Sequence, residues 1–252
     1  MPTTTRRYAD DGYVVVPGVL DPGTVGAANA HVDWLLARHP ELTPEQLGHR
    51  LARDDPFWIR LVSDHRLLDL AQLFVGPDIA LFATHYLCKP PRAGKGVEWH
   101  QDGAFWPLEP MSVVTLWLAL TDSDPDNGCL RVVPGSHRSK LEKMRETDPE
   151  TVLRSRIDAD VDEAAAVDLV LRPGDVEVHH PNILHSSRPN RSDRWRRALT
   201  IRYIPTSTRI TRPDEASPYH LRGEIVPGVN SYLEPPPFRP GRHFPPIDGA
   251  AC

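Results

Sequence analysis

The sequence predicts an α+β fold in which helices pack on one side of a β-sandwich or barrel. Two features of its patterning point there. Up to about residue 78, apolar residues recur at helical spacing between capping signals; from about Ile79, short apolar runs alternate with Pro, Gly and Asn turns. Length is the third observation. With 252 residues the chain can bury a substantial core, and neither a repeat nor a linker divides it. One domain is expected over 1–252: a helical part to about 78, a barrel core over about 79–205 and a C-terminal wrap over 206–252.

In order, Tyr8 to Gly12 reads as a short helix ended by glycine, and Tyr13 to Val16 as a buried strand stopped by Pro17-Gly18. Asp21-Pro22 is an N-cap followed by proline at the first helical position. Val25, Ala28, Val32, Leu35 and Leu36 then recur on one face until His39-Pro40. Thr43-Pro44-Glu45 opens a second helical stretch, and Asp64 to Phe74 a third, with Leu67, Leu68, Leu70 and Leu73 inward. Strands are expected at Leu81–Cys88, closed by Lys89-Pro90-Pro91, and at Val97–Asp102, Val113–Leu120 and Cys129–Val133. Further strands follow at Val167–Leu171, Val176–His179, Ile183–Ser187 and Arg196–Ile204. Arg138 to Glu163 is charged and lacks a steady apolar period, which suits a surface excursion or an active-site lid. The Pro- and Arg-rich tail from Thr206 is expected to wrap the surface.

Charge and cysteines exclude several classes. A formal net charge of −5 argues against nucleic acid or an anionic membrane as partner. Met1 to Arg7 has no apolar segment behind it and does not read as a signal peptide, and Val113 to Leu120 is too short to span a bilayer. Cys88, Cys129 and Cys252 fit neither a disulfide framework nor zinc spacing. A reduced, cytoplasmic protein is expected, and Asn190-Arg191-Ser192 carries no weight as a glycosylation acceptor in that setting.

The chemistry centres on Trp99-His100-Gln101-Asp102-Gly103. In an extended segment residues i and i+2 share a face, so His100 and Asp102 converge while Gln101 faces away. An isolated His-x-Asp means little. Here it ends a strand-like run and leads into Phe105-Trp106-Pro107, where a pocket mouth would lie. Downstream, His179-His180-Pro181-Asn182-Ile183-Leu184-His185 offers a second imidazole, with His180 and His185 both in contention. Two imidazoles and a carboxylate make a facial triad with positions open for a chelating cosubstrate and dioxygen. If that cosubstrate is 2-oxoglutarate, its far carboxylate needs a cation, and the planar fork of Arg196 suits it better than lysine.

These segments resemble, in order, the phytanoyl-CoA dioxygenase family, which contains iron(II)- and 2-oxoglutarate-dependent oxygenases on a double-stranded β-helix, a jelly-roll or cupin-like barrel. The matching pieces are Lys89-Pro90-Pro91, Trp99 to Asp102, Trp117, Asn127 to Leu130, Val133 to His137, Gly174-Asp175, His180-Pro181, His185-Ser186-Ser187 and Arg196-Arg197-Ala198. Family order favours His185 over His180. The resemblance implies His100, Asp102 and His185 as iron ligands and catalytic centre, and Arg196 as partner of the distal 2-oxoglutarate carboxylate. It also implies that Gln101, Trp117, Ser187 and His85 line the cosubstrate site, His85 with a residue type unusual there. The family often has glycine where Ser186 stands.

Other residues read more plainly. His179 is expected to be an ordinary strand residue, His137 a turn residue, Lys89 a strand end, and Arg188, Arg197 and Arg202 surface charge. The expected activity is hydroxylation or another oxidation of a C–H bond in a small molecule, a natural-product intermediate or an amino acid, with Fe(II), 2-oxoglutarate and dioxygen. Retention of Asp102 favours oxygenation over halogenation. The rivals are a barrel hydrolase or isomerase that does not use 2-oxoglutarate, and a non-catalytic binding protein.

Overall fold

The computed structural model describes residues 2–146, 152–153 and 155–245. Helix α1 spans Pro2–Asp11, several residues longer than the sequence pattern suggests, and strand β1 follows at Tyr13–Val16. Helix α2 (Pro22–Arg38) starts where its cap predicts: the Asp21 carboxylate accepts the Thr24 N–H at 3.0 Å, with Pro22 in the first turn. The second helical stretch is broken into a 3-10 turn at Pro44–Gln46 and a single turn, α3 (His49–Ala52). Helix α4 (Pro56–Val62) has no counterpart in the sequence reading. Its Asp55 cap accepts the N–H groups of Phe57 and Trp58, and also takes a 2.8 Å hydrogen bond from His31, which ties α4 to α2. Helix α5 spans His65–Val75.

The strands follow as β2 (Ile79–Lys89), β3 (Val97–His100), β4 (Leu108–Glu109), β5 (Val114–Ala119) and β6 (Leu130–Val132). Next come β7 (Met144–Glu146), β8 (Ser155–Ile157), β9 (Val167–Asp168), β10 (Val176–His179) and β11 (His185–Ser187). The last are β12 (Arg196–Pro205), β13 (Arg209–Ile210) and β14 (Tyr219–Arg222). Two antiparallel sheets make the barrel: β1-β10-β5-β12-β2-β14 and β3-β11-β6-β9. This is the double-stranded β-helix, flanked by the N-terminal helices.

The six-stranded sheet is buried on both faces, and strand alternation divides them. Val14, Leu116, Leu118, Val178, Leu199, Ile201 and Tyr203 point outward into one apolar core with α2, α4 and α5. The opposite face lines the barrel. The register aligns Val15, Glu177, Trp117, Thr200 and His85 in one row across β1, β10, β5, β12 and β2. A second row runs Tyr13, His179, Thr115 and Arg202.

The tail does more than wrap. β14 extends the large sheet beside β2, and β13 pairs with β4. The charged excursion contains a β7–β8 hairpin, but residues 147–151 and 154, on which much of the lid expectation falls, lie outside the described residues. Among the described residues no helix is long and apolar enough to cross a membrane.

Candidate active site

His100 ends β3 and His185 begins β11, and the two are direct partners in the antiparallel register. Directly opposed residues project to the same side, so both imidazoles enter the barrel, 3.9 Å apart between ring centroids. Each ring is oriented from behind. His100 Nδ1–H donates to the Glu98 carbonyl at 2.8 Å, and His185 Nδ1–H to the Ile183 carbonyl at 3.0 Å. Both therefore turn Nε2 to the cavity, the atom left for a metal.

The strand expected to run to Asp102 stops at His100; Asp102 opens a short 3-10 turn, Asp102–Ala104. The turn still brings Asp102 Oδ1 to 3.5 Å from His100 Nε2 and 3.9 Å from His185 Nε2. Gly103 makes this possible: its N–H donates to the Pro181 carbonyl at 2.8 Å, and a Cβ there would lie 2.6 Å from Asn182 Oδ1.

One ligand atom from each of His100, Asp102 and His185 lies within 4.8 Å of the others, and all three side chains are buried. Burial and the neighbouring His100 push His185 well below the usual histidine range. Burial alone would raise the Asp102 carboxyl, but Arg202, followed by His100 and His179, outweighs it and holds the group ionised. Two imidazoles and one carboxylate fit a divalent iron, and the Oδ2 atom of Asp102 has no hydrogen-bond partner of its own.

A cavity of about 250 Å³ opens beside this cluster. Arg196 lies in its wall, 2% exposed, because the faces of β12 fall as alternation predicts: Arg196, Ala198 and Thr200 inward, Arg197, Leu199 and Ile201 outward. Its guanidinium carbon lies 5.4 Å from the centre of the Trp117 ring, NH1 donates to the Leu87 carbonyl at 3.3 Å, and Nε has no acceptor. Burial lowers Arg196 to about 10, which still leaves it charged at neutral pH. Trp117, Ser187 and His85 also line this cavity, as do Phe105 and Trp106 towards the mouth.

Several expectations are corrected. Gln101 does not line the cavity; one residue from His100 and Asp102, its amide points the opposite way and bonds the Asn182 carbonyl and the Glu142 N–H, each at 2.8 Å. His180 turns from the cluster towards Tyr8 and His137. Lys89 ends β2 but is buried opposite Arg196, and its Nζ donates to Ser187 Oγ at 2.7 Å. Burial, then Arg196, holds it well below the lysine range. Arg197 is buried on the outer face and pairs with Asp33 at 2.6 Å.

Two further cavity residues depart from expectation: Arg202 is not surface charge, and His179, on β10 as a strand residue, lines the cavity. Arg202 is inside, with NH1 donating to Thr200 Oγ1 at 2.6 Å and His85 Nδ1 at 2.8 Å. His179 is inside too, 2.7 Å from the carboxylate of the fully buried Glu177. Burial disfavours charging that ring, yet Glu177 and Asp102 push it up to about 9. For Arg202 the available signal was spacing, six residues from Arg196 on one strand; His179 lies on a different strand from His185, so spacing offered none.

Fold and cluster together define a candidate mononuclear metal site in a double-stranded β-helix. The chain belongs to the phytanoyl-CoA dioxygenase (PhyH) family, whose model matches residues 8–198. Phytanoyl-CoA dioxygenase 1 of Oryza sativa subsp. japonica is 31% identical over 181 residues, 69% of this chain and 62% of that protein. Among solved structures, the apo form of ThoJ, a non-heme monooxygenase, is 27% identical with a TM-score of 0.77, covering 92% of this chain and 87% of its own. SnoN, a non-heme alpha ketoglutarate dependent epimerase from nogalamycin biosynthesis, is 26% identical with a TM-score of 0.67, covering 96% of each chain. The chain spans about half to three-fifths of the length of several curated relatives it matches.

Proposed function

We propose that this protein is an iron(II)- and 2-oxoglutarate-dependent dioxygenase that hydroxylates, or otherwise oxidises, a C–H bond of a small molecule. His100, Asp102 and His185 hold the iron. Arg196 receives the distal carboxylate of 2-oxoglutarate, with Trp117, Ser187 and His85 beside it. The observation that carries the reading is the shared cavity: a triad with free Nε2 atoms and a buried guanidinium with an unsatisfied donor face the same 250 Å³. When bound, iron with 2-oxoglutarate and dioxygen supplies the oxidising chemistry, with succinate and carbon dioxide as coproducts.

The chain's own residues do the rest. The carbonyls of Glu98 and Ile183 fix the ligand tautomers, Arg196 and Trp117 orient the cosubstrate, and the buried walls exclude water. A cavity of about 250 Å³ has room for 2-oxoglutarate and the reacting part of a substrate, and the net charge of −5 supports a natural-product intermediate or an amino acid over an acyl-CoA with its phosphates. Phe105, 37% exposed at the mouth, offers such a substrate an apolar surface. We read the chain as one domain acting in the cytoplasm without a nucleic-acid or membrane partner, in keeping with its net charge of −5.

Likeness to an epimerase favours one variant reading, inversion at a carbon of the substrate through the same centre. The first experiment is succinate formation from 2-oxoglutarate with Fe(II) in air. Succinate that requires iron supports the proposal, and isotopic oxygen in the product separates hydroxylation from epimerisation. No succinate, together with no measurable 2-oxoglutarate binding, overturns it in favour of a barrel metalloenzyme of another reaction type.

A further inference from the structure

The two oxygens of Asp102 meet different surroundings. Oδ1 faces the Nε2 atoms of His100 and His185. Oδ2 faces away from them, with His179 Nε2 at 3.6 Å and an Arg202 terminal nitrogen at 3.7 Å. Register explains the convergence. His179 on β10 and Arg202 on β12 both pair with Thr115 of β5, so a small residue stands between two long ones that project to the same side. Each is held from behind. Glu177 Oε2 lies 2.7 Å from His179 Nδ1, while Thr200 Oγ1 and His85 Nδ1 accept from Arg202. Asp102 Oδ2, His179 Nε2 and Arg202 Nε are all buried without a hydrogen-bond partner.

We propose that Glu177, His179 and Arg202 are positioning residues that hold Oδ2 of Asp102, so that the carboxylate meets the metal through Oδ1 alone. This rests on the metal reading above and deepens it. A carboxylate with both oxygens on the metal takes an extra coordination position; one held at Oδ2 leaves that position to cosubstrate or dioxygen. Glu177 takes up Nδ1 of His179, so the other ring nitrogen, Nε2, is the one turned to Oδ2. A bare Nε2 lone pair facing Oδ2 would set two acceptors against each other in a buried site. Outer partners of this kind typically change metal affinity by about 10–100-fold.

The test uses Co(II) as a spectroscopic probe of the apoprotein. The wild type is expected to bind one Co(II). The double variant Glu177→Val/His179→Phe removes both partners at once and leaves no orphaned buried carboxylate. It is expected to bind Co(II) about 10–100-fold more weakly, with an altered d–d spectrum at saturation. Glu177→Val/His179→Gln returns an N–H near the place of Nε2 and is expected to recover most of the affinity and the spectrum. Equal affinity and identical spectra in the wild type and the phenylalanine variant overturn the proposal. So does equal weakening in the phenylalanine and glutamine variants, which would point to packing. A wild type that binds no Co(II) removes the metal reading itself, and the proposal with it. If the phenylalanine variant does not fold, histidine ¹⁵N spectra of the Zn(II)-loaded wild type decide. A slowly exchanging hydrogen on His179 Nε2 supports the clamp, and an unprotonated Nε2 overturns it.

Discussion

The two faces of the six-stranded sheet are both largely buried but differ in chemistry. Outward, Leu116, Leu118, Leu199, Ile201 and Tyr203 pack against helices; inward, Arg196, Thr200, Arg202 and His179 face a cavity, with Glu177 and Lys89 buried behind its wall. Burial alone therefore does not separate core from site. The outer face lowers the free energy of folding by removing apolar surface from water. On the inner face, charged groups are costly to bury and persist only where they are paired or meet a ligand. Adjacent residues Arg196 and Arg197 show the contrast within one strand. Arg197 finds the Asp33 carboxylate on the outer side, whereas among the described residues Arg196 meets no carboxylate within the barrel, only the Leu87 carbonyl and the Trp117 ring.

The sharpest way to separate the faces is to remove the triad. His100→Ala, Asp102→Ala and His185→Ala are each expected to abolish stoichiometric iron binding, measured by metal analysis after gel filtration, while thermal melts remain cooperative. His180→Ala is expected to bind iron like the parent. If His180→Ala loses the metal and His185→Ala retains it, the assignment of the second histidine is wrong.

Next in size is the pair of arginines. Losing a charge-assisted pair in a closed pocket costs roughly 2–5 kcal/mol, about thirty-fold to several thousand-fold at 1.4 kcal/mol per decade. Arg196→Ala is expected to raise the apparent KM for 2-oxoglutarate by at least the lower figure, with iron affinity unchanged. Arg197→Ala is expected to leave that KM near the parent value. A 2-oxoglutarate titration of both variants checks this, and a reversed order would break the assignment of faces.

Leu199→Ala tests the outer face from the other direction. Truncating a fully buried leucine costs about 2–5 kcal/mol, so denaturant unfolding should show a large loss of stability. At temperatures where the variant stays folded, iron and 2-oxoglutarate affinity should match the parent. A selective loss of cosubstrate binding would mean that the two faces are coupled.

The smallest effect concerns pH. Burial, aided by His137 and His179, lowers His180 to about 4. Between its unfolded value near 6.5 and that value, the unfolded chain binds more protons, so stability falls as pH drops through this window. His180 is only partly buried, and solvent screening reduces its share to the order of 1 kcal/mol. Denaturant titrations at pH 7 and pH 5 should show this slope, and it should flatten in His180→Asn. An equal slope in the variant would assign the dependence to other groups.

Local pattern determined much of this protein. Alternation along β12 put Arg196, Ala198 and Thr200 on one face, the Asp21-Pro22 cap placed α2, and the i, i+2 spacing of His100 and Asp102 pointed to a ligand pair. Each is a short-range property of backbone geometry and so can be read in one dimension. The α4 helix escaped because it is a seven-residue element without a sustained period. The sheet order and the partner of each strand were beyond reach for a different reason. Only register brings His185 opposite His100 across 85 residues of sequence, and only register sets Arg202 and His179 on either side of Thr115. Gln101 shows the same limit from the other side, since its motif position suggested the cosubstrate and its packing assigned it to the loops. Arginine and histidine are usually solvated, and nothing in their local sequence distinguishes the few that a fold holds inside. Tertiary structure alone decided which charges were buried, because their partners come from strands distant in the chain.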